Sequence, residues 1–354
     1  MAHRITLIPG DGIGPEVAHA ARTVVEAAGV AVDWDVQEAG AGVMEAEGTP
    51  LPDRVLDSIR ASRTALKGPI TTPVGTGFRS VNVALRQDLD LFAAVRPSRR
   101  LPGIPSRHPD VDLVVIRENT EDLYQGVEFE RGSRELARLR AELQQVRGYR
   151  IPDDAGVTLK PISVTGTRRI VRFALDFARR HRRTKVTVGH KANIMRHSDG
   201  LFLDTALEID REDYPDVEVE AVQIDELAMR LASEPEAFHV LLLPNLYGDI
   251  ISDLSAGLVG GLGLASGANL GWEYSVFEPV HGSAPDIAGK GVANPVAMIL
   301  SAALMLRHLS ETDAAGAVEA AVAGMLEDGA VRTPDLGGTA TTEEVAEAVA
   351  ARLG

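Results

Sequence analysis

Short apolar runs, each closed by turn residues and followed by an amphipathic stretch, set the rhythm of this chain. Residues 5–8 (Ile-Thr-Leu-Ile) read as a strand. A Gly- and Pro-rich turn follows over 9–15, and Pro15 suits the first turn of a helix running to Ala28. Residues 32–36 alternate like a strand, 53–62 have helical spacing, and 65–73 read as a strand entering a polar loop. Ser80, Asn82 and Arg86 fall near the start of the next helix. Strand-like runs then end at Arg96 and at Arg117. Further strands are expected at 157–164, 185–189, 217–224 and 240–243. Helices are expected at 167–182, after Leu243, at 296–309, and as a final pair parted at 335–339. Strands alternating with helices predict an α/β fold.

Some stretches break the rhythm. Residues 99–109 are rich in Pro and Arg and mark the best boundary between domains. Residues 130–150 are highly charged, with Leu136, Leu139 and Leu143 at helical spacing, and read as an exposed amphipathic insertion. The glycines of 257–271 suit close backbone packing. Residues 278–290 form a long irregular loop, the kind of segment that is usually functional.

Candidate chemistry clusters at element edges. Asp249 and Asp253 stand four apart at the start of a helix, so they share one face. A hard divalent cation such as Mg²⁺ would relieve their repulsion. The alternative is a helix cap and a solvated surface acid. Asp225 is a third acid at an element edge. Arg86, Arg96 and Arg117 border apolar elements, and guanidinium forks match carboxylates. They point either to a polycarboxylate ligand or to ion pairs with Glu118, Glu121 and Asp122. Lys191 ends a strand beside a polar loop, as a catalytic base or a surface charge. Gly10, Gly12 and Gly14 follow the first strand like a dinucleotide fingerprint, with Asp33 and Asp35 at ribose distance. The spacing is wrong, however, since no glycine follows where the fingerprint needs one. A tight βα turn is the better reading.

Composition narrows the classes. The chain has 354 residues, 45% apolar, which is enough for two domains or one large α/β unit. A net charge of −15 argues against nucleic-acid binding. Without cysteine there is no disulfide framework, thiolate site or catalytic thiol. No run approaches the roughly 18 apolar residues of a membrane span. The first residues lack the pattern of a signal peptide. A soluble cytoplasmic protein is the expectation.

Five motifs in order resemble the β-decarboxylating dehydrogenases, the family of isocitrate and 3-isopropylmalate dehydrogenases. They are Ile8-Pro-Gly-Asp-Gly-Ile-Gly-Pro-Glu16, Lys67-Gly-Pro-Ile-Thr-Thr-Pro73, Arg117-Glu-Asn-Thr-Glu-Asp-Leu-Tyr124, Asn245-Leu-Tyr-Gly-Asp249 and His281-Gly-Ser-Ala-Pro285. The resemblance implies the isopropylmalate/isocitrate dehydrogenase-like α/β fold, not a Rossmann fold: two domains sharing a central mixed sheet. Residues 1–99 and 257–354 would form the large cofactor-binding domain. Residues 100–256 would form the small domain, with the metal site, the dimer interface and a clasp-like arm over about 130–160.

The resemblance also implies the site. Asp249 and Asp253 of one subunit, with Asp225 of its partner, would hold Mg²⁺ or Mn²⁺. Thr72, Ser80, Asn82, Arg86, Arg96 and Arg117 would bind substrate, with Asn193 reaching in from the other subunit. Tyr124 and Lys191 would be the acid–base pair, Lys191 also from the partner. Asn245, His281, Gly282, Ser283, Ala284, Pro285, Asp286, Ile287 and Asn294 would bind the nucleotide. Ser80 and Asn82 look like the isocitrate form, since a third carboxylate needs hydrogen-bond donors. An isopropyl group would leave them unpaired, at about 1–3 kcal/mol each. Asp286-Ile287 stands where NADP-dependent relatives typically have Lys-Tyr. An aspartate there would accept hydrogen bonds from ribose hydroxyls and repel a 2′-phosphate, so NAD is expected. The expectation is an NAD-dependent isocitrate dehydrogenase acting as a homodimer, without nucleic-acid or membrane partners. The alternatives are an isopropylmalate, homoisocitrate or tartrate dehydrogenase, or a non-catalytic regulatory subunit.

Overall fold

The computed structural model describes residues 2–71 and 80–354, and the side chain of Glu45 is left aside. Ten strands form one mixed sheet, and a separate two-stranded ribbon stands apart. In chain order the strands are β1 (His3–Ile8), β2 (Val32–Val36), β3 (Thr64–Lys67), β4 (Ala93–Arg99), β5 (Asp112–Glu118), β6 (Glu128–Phe129), β7 (Val157–Thr158), β8 (Lys185–His190), β9 (Glu218–Gln223), β10 (Val240–Leu243), β11 (Ser266–Leu270) and β12 (Ser275–Pro279). The sheet order is β2-β1-β3-β12-β11-β4-β5-β10-β8-β9. Pairing is parallel from β2 to β12, antiparallel from β12 through β11 and β4 to β5, and parallel again from β5 to β9.

The helices are α1 (Gly14–Ala27), α2 (Ala41–Glu47), α3 (Asp53–Ser62), α4 (Val81–Asp88), α5 (Arg134–Arg147), α6 (Val164–Arg180), α7 (Asp199–Asp213), α8 (Ile224–Ser233), α9 (Asn245–Leu258), α10 (Val296–His308), α11 (Thr312–Asp328) and α12 (Thr342–Ala350). They cover both faces of the sheet, which is why a strand such as β10 is apolar and buried throughout.

The two faces differ. One carries a continuous core from α1, α10, α11 and α12 to α6 and α7. The other carries two smaller cores. One packs α3 and α4 on β1, β3 and β12, and the second packs α8 and α9 on β5 and β10. Side chains alternate along a strand. Leu66, Phe277, Ala268, Val95 and Ile116 point into the continuous core. Their neighbours Lys67, Glu278, Asn269, Arg96 and Arg117 therefore point to the divided face. They fill the strip between its two cores, over the antiparallel centre of the sheet.

Some expectations change. Residues 157–164 are not one strand. Only Val157–Thr158 pairs, Pro161 interrupts, and Ser163 caps α6 by accepting from the Gly166 N–H at 2.9 Å. Residues 257–271 and 278–290 hide parts of two central strands, β11 and β12, whose small side chains give no strand-like run. Sequence reading also passed over α2, α7 and α8. The 130–150 segment contains α5, where Leu136 alone is buried. The sheet runs unbroken past residues 99–109, since β4 pairs with β5 from Ala93↔Glu118 to Arg99↔Asp112. The arginines of α6 meet acids: Arg169 with Asp90 and Arg172 with Asp213, each at 2.7 Å.

Candidate active site

The polar strip encloses a cavity of about 120 Å³ lined by Lys67, Asn82, Arg86, Arg96, Asn269, Glu278 and His281 among others. Three of those side chains are cationic and one is anionic, in a chain of net charge −15. Lys67, 2% exposed, pairs with Glu278 at 2.6 Å, and Arg86 lies 3.7 Å from the same carboxylate. Asn269 donates to Glu278 at 2.6 Å. Burial pushes the Glu278 carboxyl up, but Lys67 and Arg86 outweigh it and hold the group at about 2. Burial lowers the Arg86 pKa. Asn82 Oδ1, Arg86 Nε and His281 Nε2 are buried and have no hydrogen-bond partner. Groups of this kind are rarely left unpaired.

Beside the cavity, Arg117 is fully buried on β5 and faces α9. Its Nε and Nη2 donate to Asn245 Oδ1 at 3.0 and 2.7 Å, and its Nη1 pairs with Asp249. Gly248 makes room for it: a Cβ there would sit 2.5 Å from Arg117 Cγ. The Tyr124 ring packs 4.8 Å from the Arg117 guanidinium, and its hydroxyl donates to Asp249. Arg96 donates to Ser252 at 2.6 Å and lies 3.4 and 3.5 Å from Asp249 and Asp253. The arginines thus pair with Asp249, Asp253 and Glu278. Glu118, Glu121 and Asp122 instead accept from the backbone amides of Thr120, Ser163 and Leu246. α9 begins at Asn245, so Asp249 sits beyond the cap position.

These neighbours set the charges. Burial lowers the Arg117 pKa to about 10, helped by Arg86 and Arg96. Burial raises Asp249, but Arg117 and Tyr124 outweigh it and the net shift is down. Burial raises Asp253, aided by Asp249 and opposed by Arg96. Burial and the bond to Asp249 raise the Tyr124 phenol.

Lys191 and Asp225 form a second cluster. Lys191 Nζ pairs with Asp225 and donates to Gln223 at 3.4 Å. This bond lowers the Asp225 pKa. Asn193 stands exposed on the following turn. Among the described residues no three acidic or imidazole side chains form a ready metal cage. Asp249 and Asp253 offer hard oxygen donors from one chain, and Asp225 is turned elsewhere. Asp249 and Asp253 alone thus supply two hard donors that fit a divalent cation, and Asp225 does not join them within the chain.

The loop after β12 brings His281 and Gly282 to the cavity wall, and Ser283, Ala284, Pro285, Asp286 and Ile287 follow along the chain. Its Ser283 carbonyl accepts from the Ile13 amide at 2.9 Å, and its hydroxyl meets Thr71 at 2.5 Å. A Cβ on Gly12 would lie 2.0 Å from the Ser283 carbonyl oxygen. The glycine turn is therefore a packing contact for this loop. Asp286 is exposed. Asn294 donates to Asp335 at 3.0 Å. His281 Nε2 is unpartnered among the described residues, and burial lowers the pKa of this imidazole. Ser80 and Asn82 flank the start of α4. Thr72 lies outside the described residues. Lys67, Glu278 and Asn269 escaped sequence reading. A charged residue ending an apolar run, as Lys67 does, was the available signal.

The isocitrate/isopropylmalate dehydrogenase family model matches residues 4–349, and the chain belongs to that family. A crystal structure of isocitrate dehydrogenase from Methylococcus capsulatus is similar, with a TM-score of 0.91 and 50% identity, covering 99% of each chain. Isocitrate/homoisocitrate dehydrogenase from Thermus thermophilus is 47% identical, covering 100% of this chain and 99% of that one. Isocitrate dehydrogenase [NAD] catalytic subunit 5, mitochondrial, from Arabidopsis thaliana is 44% identical, covering 98% of this chain and 88% of that one. The fold is that of the family: α/β, around a mixed ten-stranded sheet. No helix among the described residues is long and apolar enough to cross a membrane.

Proposed function

We propose that this chain is an NAD-dependent isocitrate dehydrogenase, converting isocitrate and NAD⁺ to 2-oxoglutarate, CO₂ and NADH. One observation carries the reading: an acidic protein encloses a cavity with three cations against one carboxylate, and with the buried Asn82 Oδ1 unpartnered among the described residues. That is the inverse image of a small polycarboxylate. Arg86, Arg96 and Arg117 hold two of its carboxylates, and Ser80 and Asn82 take the third. Thr72 and Asn193 are further contacts. Asp249 and Asp253, with Asp225 of a second copy, hold Mg²⁺ or Mn²⁺, and when bound it supplies charge to the substrate hydroxyl and its neighbouring carboxylate.

Lys191 accepts the hydroxyl proton as the hydride leaves C2 for the nicotinamide. Tyr124 returns a proton to the carbon that CO₂ vacates. Asn245, Asn294 and the 281–287 loop bind NAD, and Asp286 faces the ribose. The active unit is a homodimer, because Lys191 with Asp225 and Tyr124 with Asp249 stand in separate clusters of one chain. Exposed Ile194, Met229 and Ile250 give that dimer an apolar contact. Residues 1–99 with 257–354 act as the nucleotide domain, and 100–256 as the small domain with its arm.

The test is a set of initial rates with Mn²⁺, comparing isocitrate, homoisocitrate and 3-isopropylmalate, each with NAD⁺ and NADP⁺. Isocitrate with NAD⁺ should dominate. The Thermus relative's name makes homoisocitrate the second reading. Preference for isopropylmalate would refute the roles of Ser80 and Asn82, and preference for NADP⁺ that of Asp286. No turnover would favour a regulatory subunit.

A further inference from the structure

One partly buried ammonium, that of Lys160, stands between the strand end that carries Lys191 and the turn that carries Tyr124, two groups of one chain that on the dimer reading serve different active sites. Lys160 follows β7, with its side chain 14% exposed. Its Nζ donates to Asp199 at 2.6 Å, lies 4.0 Å from Asp122, and sits 4.4 Å over the Tyr247 ring. Both carboxylates are fully buried. The second oxygen of Asp199 accepts from the Lys191 backbone N–H at 2.7 Å. Asp122 accepts from the Leu123 and Leu246 amides at 2.8 and 2.9 Å. Its own N–H donates to the Pro161 carbonyl, next to Lys160, at 3.0 Å.

Asp122 opens the short turn that carries Tyr124, and Leu246 lies in the first turn of the helix that carries Asp249. Asp122 also holds a backbone φ of +67°, a conformation few non-glycine residues adopt. Such geometry persists where its surroundings impose it, and it clusters at functional sites. The Lys191 peptide on one side and the Tyr124 turn on the other therefore meet through one cation and two acids. Neither acid reaches the cavity. Besides Lys160, and Tyr247 at Asp199, they meet backbone amides of the elements that present the reactive groups.

We propose that Lys160, gripped by Asp199 and Asp122, is a positioning residue that holds the Lys191 peptide and the Tyr124 turn in one frame. The inference rests on the acid–base reading above. Lys160 touches no reacting atom, and its effect passes through those two acids. A displacement of about 1 Å at a reactive group can cost on the order of 100-fold in rate.

The experiment takes the full chain with Mn²⁺ and compares wild type, Lys160→Met, Asp199→Asn and the double variant. The expected result for Lys160→Met is a kcat lowered about 10- to 100-fold, with KM for isocitrate and NAD⁺ within about threefold of wild type. Asp199→Asn should fall in the same direction. The double variant should be no worse than Lys160→Met, because both substitutions break one linkage. A kcat within twofold of wild type would overturn the proposal. So would a rate loss matched by an equal loss of folded protein, the mark of a merely structural role. Should Lys160→Met not fold, the double variant, which removes the uncompensated charge, decides by the same criteria. Failure of wild type itself to oxidise isocitrate would overturn the activity reading, and this inference with it.

Discussion

Replacing Glu278 by Gln removes the one carboxylate that, among the described residues, lines the cavity wall with Lys67 and Arg86. The carboxyl falls from its ordinary 4.5 to about 2 in the folded chain, against the burial that would raise it. At roughly 1.36 kcal/mol per pKa unit, the drop corresponds to about 3 kcal/mol of stability at neutral pH. The folded-state pKa is the lower one, so this contribution is present above pH 4.5 and is lost as the pH falls toward 2. Linkage then gives a loss of about 1 kcal/mol by pH 4 and about 2 kcal/mol by pH 3. Glu278→Gln should unfold about 3 kcal/mol more easily than wild type at pH 7, because Lys67 is left buried without a counter-charge. The gap should narrow to about 1 kcal/mol at pH 3. Urea unfolding of ligand-free protein, followed by far-UV circular dichroism at pH 7, 4 and 3, measures it. A gap that stays constant or widens on acidification would refute the view that a charged Glu278 holds this wall together.

Other outcomes follow from the same geometry. Tyr124→Phe should impair decarboxylation and protonation more than hydride transfer to a preformed keto acid in reverse, and equal losses would count against the tyrosine's role. Gly248→Ala should lower kcat by at least about tenfold, because its Cβ would strike Arg117 at 2.5 Å, and steady-state rates on folded protein check this. Chelation with EDTA should abolish turnover and Mg²⁺ or Mn²⁺ should restore it, whereas full activity in excess chelator would remove the metal role from Asp249 and Asp253.

Much of this was legible in the residues because periodicity and motif coincided. The run 240–243 located β10 and the helix after it, and with them Asp249 and Asp253, although α9 begins at Asn245 and runs through Gly248. Two central strands were not legible. β11 and β12 bury Ser266, Gly267, Asn269, Ser275 and Glu278, so neither an apolar run nor an apolar–polar alternation marks them. For the same reason Glu278 and Asn269 were missed, since their importance comes from pairing between strands distant in sequence: the parallel β3–β12 pair sets Glu278 beside Lys67, and the antiparallel β11–β12 pair brings Asn269 to Glu278. The arginines were found, but their partners were not. Which acid faces which guanidinium depends on strands far apart in sequence, and Glu118, Glu121 and Asp122 turned out to serve backbone amides.

The contrast between the two faces of the sheet has an evolutionary consequence. Most apolar stabilisation lies in the unbroken core and in the two blocks flanking the strip. The positions proposed to contact a substrate fall mainly in the strip or at the edge of α4. A lineage could therefore exchange Ser80 and Asn82 for apolar residues, and so adopt a new hydroxy acid, while Val55, Ile59 and Leu241 stay untouched. Drift in the packing and drift in substrate preference would then proceed on largely separate sets of residues. The buried Lys67–Glu278 pair is the exception, since it both holds the sheet's polar strip together and lines the cavity.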